Sequence, residues 1–460
     1  MASMRSLSWL SPLVVIVAVT GGCSGTADIP DAGNGTDGGA EGGLACVGGT
    51  VACGGKCVEI DINPDNCGAC GHACSPGEVC SNGTCALSCQ LGYTLCTGNT
   101  PYCANVQGDP QNCGGCGKVC NSDHTIAQCK SGACVDTCLS TFFDCDNDPS
   151  TGCEVDLASD AKNCGKCGHD CLGGTCSTGM CQPVTLASNQ NGAFALAIDG
   201  TTVYWTNASG GQVRSCAKAG CGGTPTTLAS NQGYPYGIAV DSTKVYWTNY
   251  TAGQIQACTK TGCSSVPTTL ASSQTSPYGI ATDGVNVYWT NYGQFGQVQK
   301  CAVGGCSLTP TTLASAPYAY QITTDGTNVY YTQNGVKVCA VGGCSMTPTT
   351  LANGGYGGIA VDSTNAYWST GSNIDKCALG GCGLNPTVLA SGYAFGIAVD
   401  AADVYWASPS SGTISRCAIG GCSSPTLLAV AQAYPESIAV DATSIYFTNY
   451  SAGTIAKLAK

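Results

Sequence analysis

Gly237-Ile238-Ala239-Val240-Asp241 followed by Val245-Tyr246-Trp247-Thr248-Asn249 is the stretch that decides the fold, because the chain repeats it seven times. A short apolar run ends in Asp199, Asp241, Asp283, Asp325, Asp362, Asp400 or Asp441. About five residues later comes Tyr with a second aromatic: Tyr204-Trp205, Tyr246-Trp247, Tyr288-Trp289, Tyr330-Tyr331, Tyr367-Trp368, Tyr405-Trp406 and Tyr446-Phe447. Self-similarity at a period near 40 residues marks a repeat architecture.

Working outward, each unit adds a G-x-I type run and a TTLA type run, four short β-rich segments punctuated by Gly, Ser, Asn and Pro. Four antiparallel strands in about 40 residues make one propeller blade. No apolar period of 3.6 residues interrupts residues 183–460, so the region reads as all-β. An outer-strand segment, Thr185–Ala187, precedes the first unit, and the seventh unit ends without one of its own. The count predicts a seven-bladed β-propeller closed by an N-terminal outer strand, which leaves no open sheet edge.

GIAVD, VYWTN and TTLA resemble the YWTD repeats of low-density-lipoprotein-receptor propellers and, more loosely, NHL-type propellers. The resemblance spans roughly 275 residues. It departs from that family in blade number, six there against seven here. It departs also at the fourth motif position, which is Asn207, Asn249, Asn291 or Asn449 rather than Asp, and Gln333, Thr370 or Ser408 elsewhere. The resemblance implies that a polar residue at this position ties neighbouring blades together.

The 37 cysteines divide cleanly. Six units carry C-x4-C, predicted as hairpin disulfides Cys216–Cys221, Cys258–Cys263, Cys301–Cys306, Cys339–Cys344, Cys377–Cys382 and Cys417–Cys422. Twenty-four more, from Cys46 to Cys181, form three groups of eight sharing NCGxCGxxC. Zinc is the alternative for C-x2-C. However, His72 and His169 in the outer copies give way to Lys118 in the middle one, and an even, dense count favours disulfides. Eight cysteines allow 105 pairings, so connectivity stays open.

Cys23 is left over. It follows an apolar core, Leu7–Val19, too short to span a bilayer, and Thr20-Gly21-Gly22-Cys23 resembles a bacterial lipobox. This predicts a lipoprotein signal peptide over 1–22, a lipidated Cys23 and, from Ser24, an outer-membrane address; free secretion is the alternative. Residues 23–45 read as a flexible acidic linker, 46–182 as a disulfide-rich, loop-dominated repeat domain and 183–460 as the propeller. The net charge of −12 lies wholly before residue 183 and no basic stripe exists, which argues against nucleic acid.

For chemistry, the seven Asp read as turn caps. Asp144, Asp146, Asp148, Glu154 and Asp156 are candidate calcium ligands, set against a solvated acidic turn; no other cofactor is expected. Catalysis is disfavoured, since residues 183–460 hold no His and one glutamate, Glu436. A lyase like the seven-bladed streptogramin lyases, or a hydrolase, therefore ranks last. The stronger candidate is aromatic: rings expected just before each first strand (Phe194, Tyr236, Tyr278, Tyr320, Tyr356, Phe395, Tyr434), with Tyr234, Tyr318 and Tyr393 beside them and Tyr250, Tyr292 and Tyr450 in facing loops. Such a surface suits a saccharide or peptide, with interblade packing as the competing role. The chain thus reads as a lipid-anchored surface binding or adhesion protein on a cysteine-rich stalk, with protein or carbohydrate partners at the cell surface. An envelope or matrix scaffold is the alternative.

Replacing Cys23 with Ala should move the protein from the outer-membrane fraction to soluble fractions. An unmutated protein that is already soluble and unlipidated contradicts the lipobox.

Overall fold

The computed structural model describes residues 46, 50–97, 101–120, 124–147, 152–263 and 266–460. The signal and the whole linker, Cys23 included, lie outside them. Among the described residues every regular element is a strand, and the chain divides into two compact units, Met1–Ala104 and Asn105–Lys460.

Within Asn105–Lys460 lie seven four-stranded antiparallel sheets in a propeller-like arrangement. In the second, Pro235–Val240, Lys244–Asn249, Gln254–Thr259 and Thr268–Ala271 pair in chain order. The last sheet differs: Pro435–Val440, Ser444–Asn449 and Thr454–Ala459 are joined by Val184–Ala187, with Val184 opposite Lys457 and Ala187 opposite Ile455. The first strands of consecutive sheets pack side by side, and the first strand of the last sheet packs on Ala193–Ile198 of the first.

The Tyr-aromatic pair explains how these sheets stack. Adjacent strand residues point to opposite faces, so each pair fills two gaps at once. Tyr204 shares a buried cluster with Trp247, Tyr246 with Trp289, Tyr288 with Tyr331 and Tyr330 with Trp368. Tyr367 joins Trp406, Tyr405 joins Phe447 and Tyr446 joins Trp205. A buried tyrosine hydroxyl needs a partner, and the strand-end aspartate supplies it. Tyr246 donates to Asp241 at 2.6 Å and Tyr288 to Asp283 at 2.7 Å, and the other five pairs repeat the bond. The second carboxylate oxygen accepts the amides two and three residues on, as Asp241 does from Thr243 and Lys244. Three aspartates also take a lysine from a neighbouring sheet: Lys260–Asp199, Lys218–Asp441 and Lys460–Asp400. Burial alone would raise the Asp400 carboxyl, but Lys460, two backbone amides and Tyr405 hold it down to about 2.

The tie between sheets comes from the third motif position rather than the fourth. Thr206, Thr248, Thr290, Thr332 and Thr448 donate to the carbonyls of Tyr236, Tyr278, Tyr320, Gly357 and Phe194 in the next sheet. Asn207, Asn249 and Asn291 instead donate to Gln190, Gln232 and Gln274, which also accept the Trp indole N–H of the same sheet. Those glutamines sit in the link entering the sheet, so the Asn braces the link.

All 36 cysteines from Cys46 onward are disulfide-bonded, a density typical of secreted and extracellular proteins. The six hairpin disulfides pair as expected from C-x4-C. In the first and third groups of eight the order is first to third, second to fifth, fourth to seventh and sixth to eighth. With every C-x2-C cysteine bonded, no thiolate remains to hold zinc, and His72 and His169 each turn Nδ1 to a backbone carbonyl, of Cys67 and Cys164. The repeated NCG glycines have a steric reason: a Cβ on Gly68, Gly114 or Gly165 would meet the carbonyl oxygen of Gly83, Gly132 or Gly179 at about 2.5 Å or less. The third group is no free stalk. Cys164, Cys171 and Cys181 join the cluster around Tyr405 and Phe447, and His169 Nε2 reaches the Lys460 carbonyl at 2.7 Å.

Exchanging Val184–Ala187 for a Gly-Ser segment of equal length removes buried Leu186 and the partner strand of Thr454–Ala459. Stability should fall by more than about 3 kcal/mol in thermal or denaturant unfolding. An unchanged curve would show that the last sheet does not need this strand.

Candidate functional site

The face that gathers the aromatic rings is built by two sets of loops: those entering each first strand and those joining second to third strands. Ring contacts place them together, with Tyr236 and Tyr250 at 5.0 Å, Tyr278 and Tyr292 at 6.0 Å, and Tyr434 and Tyr450 at 6.3 Å between centroids. The contacts continue as an arc, from Tyr450 to Phe194, Phe194 to Tyr236, Tyr236 to Tyr278 and Tyr278 to Tyr320. Phe194 also meets Phe395 at 5.7 Å.

The arc has a floor and a rim. Phe194 is buried, and Tyr236, Tyr250, Tyr278, Tyr292, Tyr320, Phe395 and Tyr450 are half-buried. Tyr318, Tyr356, Tyr434 and Tyr393 stand out at 49, 49, 47 and 36 % exposure. Burial pushes the Tyr236 hydroxyl up to about 12 and raises those of Tyr278 and Tyr393 as well. Three clefts open here. One of about 110 Å³ is lined by residues in or just before the first strand of each of the seven sheets, too small for more than a few waters. Beside it lie one of about 340 Å³ around Tyr234, Tyr236, Tyr434 and Tyr450 and one of about 520 Å³ around Tyr318, Tyr320, Lys337 and Tyr356.

Two expectations need correction. Counting five residues back from each strand-end Asp gives Phe194, Tyr236, Tyr278, Tyr320, Gly357, Phe395 and Glu436. Tyr356 and Tyr434 therefore fall one and two places earlier, on the rim, and the ring position of the last sheet holds a carboxylate. Glu436 is 7 % exposed and its Oε2 has no hydrogen-bond partner; burial pushes the carboxyl up to about 7. The register from Asp would have found it, whereas looking for the nearest bulky ring hid it.

Tyr234, Tyr318 and Tyr434 share a second feature, seven residues before Asp. Their φ values are 57°, 56° and 60°, the left-handed region that costs an L-residue about 1–2 kcal/mol. The first sheet places Gly192, at 73°, in the same position. Ser276, at 49°, holds it in the third sheet. A tyrosine held three times where glycine fits without strain is a local cost, of the kind that clusters at functional sites, and each ring meets one neighbour, Tyr236, Tyr292 or Tyr450.

Of the candidate calcium ligands, Asp144, Asp146 and Glu154 bring carboxylate oxygens within 4.8 Å of one another, and Glu154 accepts the Cys145 amide. Asp148 lies outside the described residues. Asp156 does not join them: its two oxygens accept from Ala158 N–H and Ser159 Oγ, closing its own turn.

A family described as stigma-specific STIG1-like matches residues 31–88, the stretch holding the first group of eight cysteines. Comparison with curated proteins finds no match. Among solved structures, virginiamycin B lyase from Staphylococcus aureus is similar with a TM-score of 0.51 and 17 % identity, over 61 % of this chain and 98 % of the lyase. A streptogramin B lyase is similar with a TM-score of 0.50 and 15 % identity, over 60 % of this chain and 96 % of that one. At these identities the likeness is one of β-propeller fold.

Glu436 makes stability depend on pH. Its folded-state pKa lies above the ordinary 4.5, so the folded protein binds the extra proton between about 4.5 and 7. Stability therefore falls as pH rises through that window, and above it the deficit is complete, on the order of 3 kcal/mol. Glu436→Gln should stabilise the protein at pH 8 and change little at pH 4.5. Equal effects at both values would contradict a buried, proton-holding carboxyl.

Proposed function

We propose that this chain is an extracellular binding protein whose propeller is a seven-bladed ring, closed by Val184–Ala187, that presents its tyrosine-lined mouth to a saccharide or peptide at the cell surface. The closed ring is supported by the pairing of Val184–Ala187 with Thr454–Ala459 and by the Tyr446–Trp205 core shared between last and first units. The observation that carries the binding function is the strained, exposed rim. Tyr318 and Tyr434 keep a left-handed backbone while about half of each side chain faces solvent, and exposed rings over clefts of 340 and 520 Å³ suit stacking ligands. In chain order the first two cysteine-rich groups lie between the lipid anchor proposed at Cys23 and the propeller, whereas the third is docked on its last sheets.

A non-catalytic role is favoured over lyase chemistry. Among the similar structures is a histidine-to-alanine variant of virginiamycin B lyase described as catalytically inactive, bound to quinupristin, with a TM-score of 0.50 and 18 % identity. The three histidines of this chain, His72, His124 and His169, all precede the propeller. The Asp144–Asp146–Glu154 cluster is left as an acidic turn.

Glycan and peptide arrays probed with the protein and with a Tyr318→Gly/Tyr356→Ala variant test the reading. Exposed side chains contribute within about ±0.5 kcal/mol and glycine relieves the φ strain at 318, so the variant should unfold at the same temperature or slightly higher. Array binding should be lost. Retained binding, or a variant destabilised by several kcal/mol, would assign these rings to packing.

A further inference from the structure

Glu436 stands where five other sheets place an aromatic ring, and it is the sole glutamate of residues 183–460. It lines both the narrow central cavity and the 340 Å³ cleft beside it. No Lys, Arg, His or Asp lines either one, and Oε2 accepts no hydrogen bond. The preceding sheet has Ala407 at the position whose Thr hydroxyl elsewhere reaches this backbone carbonyl, so the main chain too is less tied here. A nearly buried carboxyl without a partner is unfavourable in itself, and burial shows in its raised pKa, about 7.

The walls narrow what could partner it. Hard metal ions require several oxygen ligands, whereas this cleft offers one carboxylate among five rings, Phe194, Tyr234, Tyr236, Tyr434 and Tyr450. Aromatic faces attract an organic cation and pack its methylene stem, and a desolvated contact of that kind is stronger than an exposed one. A primary ammonium adds three N–H donors for the carboxylate and the phenol oxygens. We propose that the cleft between Glu436 and these rings binds a primary ammonium group carried by the ligand, with the carboxylate accepting its N–H and the rings enclosing its stem. This deepens the reading of the mouth as a binding surface and rests on it. The carrier can be a lysine side chain or an amino sugar, which share this chemistry.

A pH signature follows. The other titratable groups facing Glu436 are tyrosines, Tyr234, Tyr236, Tyr434 and Tyr450 in the cleft, with Tyr278 and Tyr393 close enough to feel its charge. Binding the cation drives a proton off Glu436 below about pH 7, so affinity rises with pH up to that point and then levels until the amine titrates, near 10 for a lysine side chain and well below that for an amino sugar, whose neighbouring C–O bonds make its amine less basic.

Calorimetric titration of the purified full chain with Nα-acetyl-lysine methylamide and with glucosamine tests this, with Nε-acetylated lysine and N-acetylglucosamine as neutral controls. At pH 7, where both amines are largely protonated, at least one should bind, roughly tenfold or more tighter than its acetylated form. Affinity should drop by roughly tenfold at pH 5.5 and be lost by roughly tenfold or more in Glu436→Gln. The amine that binds identifies the carrier. No binding of either amine, equal binding of the acetylated forms, or an unaffected Glu436→Gln variant overturns the proposal. If amines fail while the Tyr318→Gly/Tyr356→Ala variant still loses array binding, the mouth remains a binding surface and only the ammonium site falls.

Discussion

The bond from each Tyr hydroxyl to the strand-end Asp carries the rest of this fold. Without it, seven phenols would lie in interblade cores with unsatisfied hydroxyls, each a penalty of about 1–3 kcal/mol. With it, one carboxylate does three tasks: it closes the turn through two amides, satisfies the phenol and, at Asp199, Asp400 and Asp441, receives a lysine from the next sheet. Because the Tyr is fixed, its strand neighbour is fixed on the opposite face, and the Tyr-Trp alternation stacks sheet on sheet. The loops at the far ends of those strands are then presented together, which is what assembles the aromatic mouth.

Two sets of tyrosines with opposite duties result. Tyr204, Tyr246, Tyr288, Tyr330, Tyr367, Tyr405 and Tyr446 are at most 2 % exposed and serve the core. The mouth set grades from a half-buried floor at Tyr236, Tyr278 and Tyr320 to an exposed rim at Tyr318, Tyr356 and Tyr434. Floor contacts such as Tyr236–Tyr278 at 4.8 Å pack ring on ring while leaving part of each ring open to the mouth, so interblade packing and the binding proposed for the mouth do not exclude one another.

Much of this was legible in the sequence, because repetition reports packing. The strand pattern, the six hairpin disulfides and the capping role of Asp241 and its equivalents are local consequences of residue type and spacing. Less legible were features set by three-dimensional neighbours. The Asp–Tyr bond spans only five residues, but the aromatic pair alone gives no sign that the phenol points back to the turn. The Thr248 to Tyr278 tie crosses to another sheet, so the conspicuous Asn249 drew the role instead. The eight-cysteine connectivity is one choice among 105, and nothing local selects Cys53–Cys70 over its rivals. Glu436 was visible as an odd glutamate, yet its place in the ring emerges only when the strand register is counted from Asp441. The docking of Cys164, Cys171 and Cys181 on the last sheets had no signal in the repeat pattern at all.

The central claim is that one face of the propeller, the aromatic mouth, meets the outside world. Placing a benzophenone amino acid at position 356 on the rim, and separately at exposed Asn385 in a turn at the opposite end of the strands, tests it in producing cells under illumination. The account predicts discrete cross-linked adducts from position 356 and none from position 385. Adducts from 385 alone, or none from 356, would contradict it.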